Sequence, residues 1–208
     1  EKYPQVLEIT KKPCMDITDR EIINENTNPL LGEIYGVDGL KTGFTNKAGN
    51  CLVATANIVG SEDEKDLRFI SITMGAKTME KRVELSKTLL EHGISNYKNK
   101  RMLNKDIPVD ILNLPNGKKT EVEVYPGEDV YKIVKAGEDI YRDIQIDEEV
   151  KLPLKAGDEV GKITLYNDDE IIDEYPLEVR EAVKKANFII MIGRYLKEFI
   201  MFIWELIF

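Results

Sequence analysis

Cysteine and histidine are scarce in this chain, whose 208 residues include two cysteines and one histidine. Cys14 and Cys51 lie far apart and lack a metal-type spacing such as Cys-x-x-Cys, so we expect two small buried thiols and no disulfide framework. A Ser-His-Asp triad or a multi-histidine metal site would depend on His92 alone. His92 is followed by Gly93, and this pair predicts the end of a helix. The sequence therefore indicates neither a metal site nor a cofactor.

Positive charge is also in short supply, since 29 Lys and Arg stand against 38 Asp and Glu and leave a formal net charge of −9. Binding to a phosphate backbone requires clustered Lys and Arg, so we expect no nucleic-acid partner. The acids show no calcium-loop spacing and are typical of a solvated surface. The hydrophobic fraction of 42% is nevertheless ordinary for a folded protein, and the length suits two small domains.

Residues 1 to 98 predict an α+β arrangement. In residues 1 to 36, three prolines break any long periodicity, and we interpret this stretch as loop with short structured pieces. Three short runs rich in β-branched and apolar residues then predict sequential antiparallel strands, followed by a helix packed on one face of their sheet. The predicted strands are 37–44, 51–58 and 67–74, and the predicted helix is 79–91.

Residues 99 to 179 are acidic and predict a small all-β domain, a sandwich or a barrel. Short segments, several of them alternating between apolar and polar residues, lie at near-regular spacing between turn residues. A basic, polar junction at 98–101 separates this domain from the first one. The predicted strands are 122–125, 130–134, 140–146, 150–154 and 161–165.

Residues 180 to 208 predict an amphipathic helix that is intensely apolar from residue 188 onward. Burying three charges near the middle of a membrane span would cost roughly 8 kcal/mol, about what the apolar residues return, so crossing a membrane gains little. We expect the helix to lie in the plane of an anionic membrane, because basic residues outnumber acidic ones in the tail. A core or dimer helix is the alternative. The expected polar stripe is Asn187, Arg194, Lys197, Glu198 and Glu205, and the expected lipid-contacting residues are Phe188, Ile192, Phe199, Ile203 and Trp204.

A Lys-Thr-Gly tripeptide, Lys41-Thr42-Gly43, lies on the first predicted strand of the α+β part. A strand edge beside an acyl-transfer site can pair with an extended peptide substrate. Lys41 would supply a fixed positive charge near a nucleophile and a substrate carboxylate, Thr42 a hydroxyl donor, and Gly43 an unobstructed approach. The backbone N–H of Phe44 can act as one oxyanion-hole donor. The tripeptide by itself is more typical of an exposed lysine beside a turn.

The sequence around this tripeptide resembles the serine D-alanyl-D-alanine carboxypeptidases, which are low-molecular-mass penicillin-binding proteins. The resemblance covers nearly the whole chain. It implies the C-terminal part of such an enzyme, with a remnant of the penicillin-binding-protein/β-lactamase-like domain at 1–98, a β-rich C-terminal domain at 99–179 and a membrane-anchor helix at 180–208. The similar stretches are 26–31, 37–45, 48–49, 51–56, 69–76, 81–84, 89–94, 152–161 and 175–177.

The family has three active-site elements, in the order Ser-x-x-Lys, Ser-x-Asn and Lys-Thr-Gly, and this chain contains only the third. The string Ser95-Asn96-Tyr97-Lys98 fits the first element, but it follows Lys-Thr-Gly at a domain junction, and we interpret it as a coincidence. Many relatives carry His or Tyr where this chain has Phe44. Arg82 aligns with a family position near the strand, although a helix-surface salt bridge with Glu84 or another acid explains it at least as well.

The resemblance implies that the complete enzyme removes the terminal D-alanine from peptidoglycan stem peptides through an acyl-enzyme and binds β-lactams. We expect the given chain to be inactive alone, because Lys41 cannot supply the nucleophile. The chain opens with Glu1 and no signal segment, so we expect sequence upstream, and the implied location is the outer face of a bacterial cytoplasmic membrane. A non-catalytic, membrane-tethered cell-wall binding module is the alternative. A β-lactamase is less favoured, since it needs neither the β-rich domain nor the tail.

Overall fold

Strands dominate the fold, and a long helix follows each of two sets of strands. This computed structural model describes residues 2–17 and 22–207. The helices are α1 (Gln5–Thr10), α2 (Met79–Asn96) and α3 (Phe188–Ile207). The strands are β1 (Cys14–Ile17), β2 (Ile22–Glu25), β3 (Val37–Thr45), β4 (Gly49–Ile58), β5 (Glu64–Lys65), β6 (Leu67–Ala76), β7 (Tyr97–Leu103), β8 (Asp110–Asn113), β9 (Glu121–Pro126), β10 (Val130–Lys135), β11 (Ile140–Ile146), β12 (Glu159–Asn167) and β13 (Glu170–Val179).

The chain divides into two units. The first runs to Arg101 and also takes in Tyr131–Glu138, while the second comprises Met102–Val130 and the chain from Asp139 onward. The first unit mixes strands and helices, and the second is built from strands followed by α3. The predicted α+β class, with a small all-β domain and a C-terminal helix, is therefore confirmed. The domain boundaries at 98/99 and 179/180 stay predictions.

A three-stranded antiparallel sheet in the order β3-β4-β6 lies at the centre of the first unit. Successive side chains of a strand point to opposite faces, and one face of this sheet packs against α2. Thr78 caps the start of α2, where its hydroxyl accepts a hydrogen bond from the backbone N–H of Lys81 at 3.2 Å. The core between sheet and helix contains Leu30, Ile34, Leu52, Ala54, Ala56 and Leu90.

Smaller elements surround this sheet. Strands β1 and β2 form a hairpin, α1 packs beside β3, and a second sheet has the order β10-β7-β5. In the stretch before residue 37, which we interpreted as loop with short structured pieces, the described residues form one short helix and two short strands.

The second unit is built on a five-stranded antiparallel sheet in the order β11-β12-β13-β9-β8. Strand β9 shows the alternation that makes such a sheet predictable, because Val122 and Val124 are buried while Glu121 and Glu123 are exposed. The core of this unit draws on almost every strand. Its most deeply buried members are Leu103, Val124, Val160, Ile163, Leu165, Leu177, Val179 and Val183.

Two details of the predicted secondary structure are wrong. Helix α2 does not end at His92 and Gly93 but continues to Asn96, because Gly93 serves close packing and not a helix end. A Cβ at Gly93 would lie 2.7 Å from Cδ1 of Phe69 on β6. The segment 150–154, predicted as a strand, forms only an isolated bridge between Leu154 and Val183.

The two cysteines are free, but the expectation that both are buried is wrong. Cys14 is exposed in the β1–β2 hairpin, and Cys51 is partly buried on β4. A small two-stranded hairpin offers one layer of backbone and no enclosing core, so it leaves the Cys14 thiol in contact with solvent.

Helix α3 follows a segment that is pinned to the second unit. Lys185 forms an isolated bridge with Gly117, as Val183 does with Leu154. The side chain of Asn187 then caps the helix, accepting a hydrogen bond from the backbone N–H of Ile190 at 3.0 Å. Most of the apolar side chains described on α3 are exposed, which argues against a core helix. The side chains of Glu198 and Glu205, assigned to the polar stripe, lie outside the described residues.

Candidate active-site strand

Strand β3 carries the Lys-Thr-Gly tripeptide at the edge of its sheet. Lys41 pairs with Val53 of β4, which in turn pairs with Ile72 of β6, so these three residues share the face that points away from α2. Thr42 is aligned with Leu52, whose buried side chain lies in the core beneath α2. The fold therefore places the Lys41 and Thr42 side chains on opposite faces of one edge strand.

Lys41 is an exposed cation without a carboxylate partner among the residues that the structure describes. Its ammonium donates a hydrogen bond to the carbonyl oxygen of Thr42. The nearby carboxylate of Asp38 is instead engaged by Arg68, with both contacts at 2.9 Å, and by the Thr55 hydroxyl at 2.6 Å. Among the described residues, no carboxylate therefore offsets the exposed charge of Lys41.

The start of β3 is held by the residues that precede it. Buried Asn28 donates to the carbonyl oxygen of Gly39 at 2.9 Å and accepts from the backbone N–H of Leu30 at 3.1 Å. The Thr10 hydroxyl donates to the carbonyl oxygen of Asp38 at 3.0 Å. Gly39 is required here, because a Cβ would lie 2.4 Å from that hydroxyl oxygen. These contacts fix the strand immediately before Lys41.

The middle of β3 is also contacted along its outer edge. The hydroxyls of Thr27 and Thr42 lie 2.6 Å apart, within hydrogen-bonding distance. A cavity of about 220 Å³ lies between this edge and the β1–β2 hairpin, lined among others by Cys14, Thr27 and Leu40. Contacts along the edge thus cluster at Thr42 and the residues before it.

The end of β3 is open. A Cβ built on Gly43 would meet no atom within 4 Å, and the ring of Phe44 is 63% exposed. No atom of the described residues obstructs the strand here, and the unobstructed approach of a peptide substrate at Gly43 stays a prediction. At the position after the tripeptide, Phe44 has no polar side-chain group, so its backbone N–H is its only hydrogen-bond donor.

Arg82 is buried, not on the helix surface. It lies in the first turns of α2, with 5% of its surface exposed, on the same face as Ser86 and Leu90. The salt bridge with Glu84 considered from the sequence is wrong, because Glu84 pairs with Lys81 at 2.7 Å. The Nε of Arg82 has no hydrogen-bond partner among the described residues. A buried guanidinium nitrogen without a hydrogen-bond partner is costly, so Arg82 stays a candidate residue of the site.

The string from Ser95 to Lys98 does not form one local site. Ser95 lies in the last turn of α2, whereas Lys98 is on β7, where its ammonium pairs with Glu64 at 2.8 Å. Because the helix ends between them, they lack the one-turn spacing that brings positions i and i+3 together on a helix. The interpretation of this string as a coincidence is consistent with that arrangement.

The face of the sheet that carries Lys41 also carries an uncovered apolar surface. Ile70, Ile72 and Met74 of β6 are 63%, 60% and 73% exposed, and they alternate with the buried residues Ser71 and Thr73. We call these three residues the open-face patch. A sheet that is apolar on both faces is typical of a central layer that is covered on both sides. The signal is present in the sequence, since residues 67 to 76 lack the clean polar alternation of a solvated strand, but the prediction of a strand here did not extend to it.

No cluster of metal-ligating side chains occurs within the described ranges 2–17 and 22–207. Among those residues there is also no helix long and apolar enough to cross a membrane. The residues expected to contact lipid all lie on α3, and all of them are exposed.

Two family models match the chain in sequence order. Residues 1–78 match the D-alanyl-D-alanine carboxypeptidase family, and residues 97–185 match the C-terminal domain of penicillin-binding protein 5. The chain belongs to the D-alanyl-D-alanine carboxypeptidase family. The carboxypeptidase match contains the Lys-Thr-Gly strand, and the second match contains the five-stranded sheet.

Similar proteins agree with this assignment. The chain is 29% identical over 180 residues to the D-alanyl-D-alanine carboxypeptidase DacF of Bacillus subtilis, covering 85% of this chain and 45% of that protein. It is 31% identical over 178 residues to DacA of Escherichia coli, covering 83% of this chain and 42% of that protein. The chain thus spans less than half the length of these family members.

Solved structures show the same relation. Penicillin-binding protein 5 of Haemophilus influenzae matches with a TM-score of 0.58 and 26% identity, over 88% of this chain and 53% of that one. The carboxypeptidase DacD of Francisella tularensis matches with a TM-score of 0.50 and 30% identity, over 79% of this chain and 40% of that one. The arrangement of strands and helices in this family member therefore has solved counterparts.

Proposed function

We propose that this chain supplies the Lys-Thr-Gly strand and the β-rich domain of a serine D-alanyl-D-alanine carboxypeptidase. The complete enzyme would remove the terminal D-alanine from peptidoglycan stem peptides and bind β-lactams. The observation that carries the proposal is Lys41, a cation on an edge strand with no carboxylate partner among the described residues, beside the open-face patch. The family membership of the chain gives the reaction class.

In this proposal a serine hydroxyl outside the described residues attacks the carbonyl carbon between the two D-alanines. An ester forms, the amide C–N bond breaks, and the amine of D-alanine leaves with the serine proton; water then hydrolyses the ester. Lys41 would stabilise negative charge at the reacting centre and at the substrate carboxylate. Thr42 would donate its hydroxyl to that carboxylate, and the backbone N–H of Phe44 would donate to the oxyanion.

Arg82 has a more indirect role in this proposal. Its position beneath the sheet, with an Nε that lacks a partner among the described residues, supports a contact that forms when the complete site is assembled. The contact would be with the substrate carboxylate or with a group that positions it, since a guanidinium binds a carboxylate through paired hydrogen bonds.

The chain should be inactive by itself, because neither Lys41 nor any of its neighbours on β3 supplies a serine nucleophile. The open-face patch supports the same conclusion. An apolar surface that contains two isoleucines and a methionine beside a catalytic lysine needs a second protein layer before water can be excluded from the site. That layer would bring the Ser-x-x-Lys and Ser-x-Asn elements to the face that carries Lys41.

Helix α3 would attach the enzyme to the outer face of a bacterial cytoplasmic membrane. Its exposed apolar side chains include Phe188, Ile192, Phe199, Ile203 and Trp204. The exposed ammonium groups of Lys184, Lys185 and Lys197 complement anionic headgroups. A surface-bound helix of this type brings the enzyme to membrane-linked peptidoglycan without crossing the bilayer.

The decisive experiment is to extract the native protein from its own cell membranes, incubate it with a penicillin and record its intact mass. We expect a species heavier than the 23.8 kDa of this chain that also gains the penicillin mass. An unlabelled species of 23.8 kDa would contradict the enzyme and favour a non-catalytic, membrane-tethered cell-wall binding module, which α3 alone could support.

A further inference from the structure

Arg194 connects α3 to the turn between β8 and β9. Its Nη1 donates to the carbonyl oxygens of Pro115 at 3.0 Å and Gly117 at 2.9 Å, and its Nη2 donates to that of Lys118 at 3.0 Å. The turn itself is closed by a hydrogen bond from the N–H of Gly117 to the carbonyl oxygen of Leu114 at 2.8 Å. Three carbonyls of one turn therefore converge on a single guanidinium, whose planar fork of donors suits this arrangement better than a flexible ammonium does.

The segment before α3 is held at the same turn by backbone hydrogen bonds. The N–H of Lys118 donates to the carbonyl oxygen of Lys184 at 2.6 Å, and the N–H of Ala186 donates to that of Asn116 at 2.8 Å. The helix is thus attached at two points. One is the segment 183–186 that precedes it, and the other is Arg194, about two turns into the helix. Two attachment points separated along a helix prevent the rotation of the helix that a single attachment point would allow.

We propose that Arg194 docks α3 on the turn 114–118. The helix then has a fixed orientation on the β-rich domain and always presents the same face to an anionic membrane. This inference rests on the proposed membrane attachment and adds to it a positioning residue. Arg194 was expected from its place in the polar stripe to face lipid headgroups. The contacts assign it instead to the protein.

The docked orientation decides which side chains reach the lipid. At about 100° per residue, the direction opposite Arg194 is shared to within roughly 40° by Ile192, Leu196, Phe199 and Ile203. Trp204 lies at roughly 80° from Arg194, on the flank between the domain side and the lipid side. A flank position suits an indole, which prefers the boundary between headgroups and hydrocarbon. The contacts of Arg194 and the apolar pattern of the helix thus direct the same face of α3 to the lipid.

The test compares Arg194→Gln with Lys197→Gln in the full chain. Both changes remove one positive charge from the same helix, but only the first removes the contacts with Pro115, Gly117 and Lys118. The first readout is hydrogen exchange of the backbone amides in 114–118 and 183–187, measured without lipid. The second is the time-resolved anisotropy of Trp204, the single tryptophan of the chain, measured on vesicles of phosphatidylglycerol and phosphatidylcholine.

We expect Arg194→Gln to accelerate exchange in both segments by about tenfold or more and to add a fast component to the anisotropy decay of Trp204. Lys197→Gln should leave both unchanged, while the two variants should lose vesicle affinity to a similar, small extent. Equal exchange in the two variants would overturn the docking. A much larger loss of vesicle affinity for Arg194→Gln would also overturn it, by placing Arg194 in the headgroups. If the wild-type chain fails to bind vesicles, the membrane attachment is wrong, and the lipid-free exchange still decides the docking.

Discussion

The two faces of the sheet β3-β4-β6 differ in what covers them. One face packs under α2, where Leu52 and Ala54 are fully buried. The other face carries the open-face patch and Lys41 in contact with solvent. In the second unit, by contrast, the five-stranded sheet encloses a core of its own. In the part of the first unit that the structure describes, a helix covers one face of the sheet and the other face carries an uncovered apolar patch. Lys41 lies on this less covered face.

This difference between the two faces indicates where the proposed site lies. A covered face is selected for packing, while an exposed apolar face beside a charged group is typical of a surface that is completed by another part of a protein. The Lys-Thr-Gly strand serves both faces at once, since Thr42 points toward the α2 side and Lys41 toward the open side. We therefore place the proposed reacting centre where the open face meets the outer edge of β3, which Thr42 borders from the α2 side.

Matched truncations on the two faces give the largest expected effect. Leu52→Ala should lower the free energy of unfolding by about 2–5 kcal/mol, because it leaves a cavity under α2. Ile72→Ala, on the neighbouring strand but in the open-face patch, should change it by about 0.5 kcal/mol or less. Urea denaturation of both variants of this chain measures the comparison. Similar losses of unfolding free energy for both variants would contradict the difference between the two faces. They would mean that a second copy of the chain covers the patch in solution.

Lys41 tests whether the open face is the functional one. In the penicillin-binding species, Lys41→Ala should slow acylation about 10²–10³-fold, since one preorganised positive charge is lost at the reacting centre. Lys47→Ala is the matched control, because Lys47 is an exposed lysine in the turn that follows the same strand. Stopped-flow measurement of penicillin binding gives both rates. Equal rates would remove Lys41 from the proposed site.

A variant of Thr78 tests how much the N-terminal cap stabilises α2, the helix that covers one face of the sheet. Thr78→Ala should lower the free energy of unfolding by about 1 kcal/mol, because the N–H of Lys81 loses its acceptor. Thr88→Ala removes a hydroxyl from the same helix, but that hydroxyl bonds only to the carbonyl oxygen of Glu84, so this variant should be neutral or slightly more stable. Thermal denaturation followed by circular dichroism separates the two. A larger loss for Thr88→Ala would contradict the assignment of Thr78 as the cap.

The elements that could be predicted from sequence are those whose local pattern and tertiary role agree. Strands β3, β4 and β6 were predicted almost to their ends, because their apolar runs are bounded by turn residues. Strands β8 and β13 were not predicted. Their sequences mix charges with apolar residues, and they are strands because neighbours in the sheet supply hydrogen-bond partners. The false end of α2 at Gly93 arose because a packing glycine looks like a capping glycine in sequence.

The candidate site divides in the same way. The strand that carries the tripeptide was predicted from its apolar pattern, and the resemblance singled out the tripeptide and indicated the family. The burial of Arg82, the pairing of Asp38 with Arg68 and the docking of Arg194 depend on residues distant in sequence, so no local pattern reveals them. The open-face patch was visible as a run of apolar residues, but deciding which of them are covered required the position of α2.

The smallest effect is expected at a surface pair in the second unit, which contrasts with both faces of the first. Lys162 and Glu174 lie on neighbouring strands β12 and β13, with Nζ and Oε1 2.5 Å apart. The hydrogen bond from Lys162 lowers the pKa of Glu174, and the same hydrogen bond to Glu174 raises the pKa of Lys162. An acid with a lowered folded-state pKa stabilises the fold above its ordinary pKa and loses that contribution as the pH falls through the lowered value. The contribution of Lys162 disappears only when the pH rises through its raised pKa.

The urea midpoint of wild type should therefore exceed that of Glu174→Gln slightly near neutral pH, and the two should converge in acid. Glu170→Gln, the same change on the same strand, is the control, and an excess that persists unchanged in acid would show that charge pairing is not its cause.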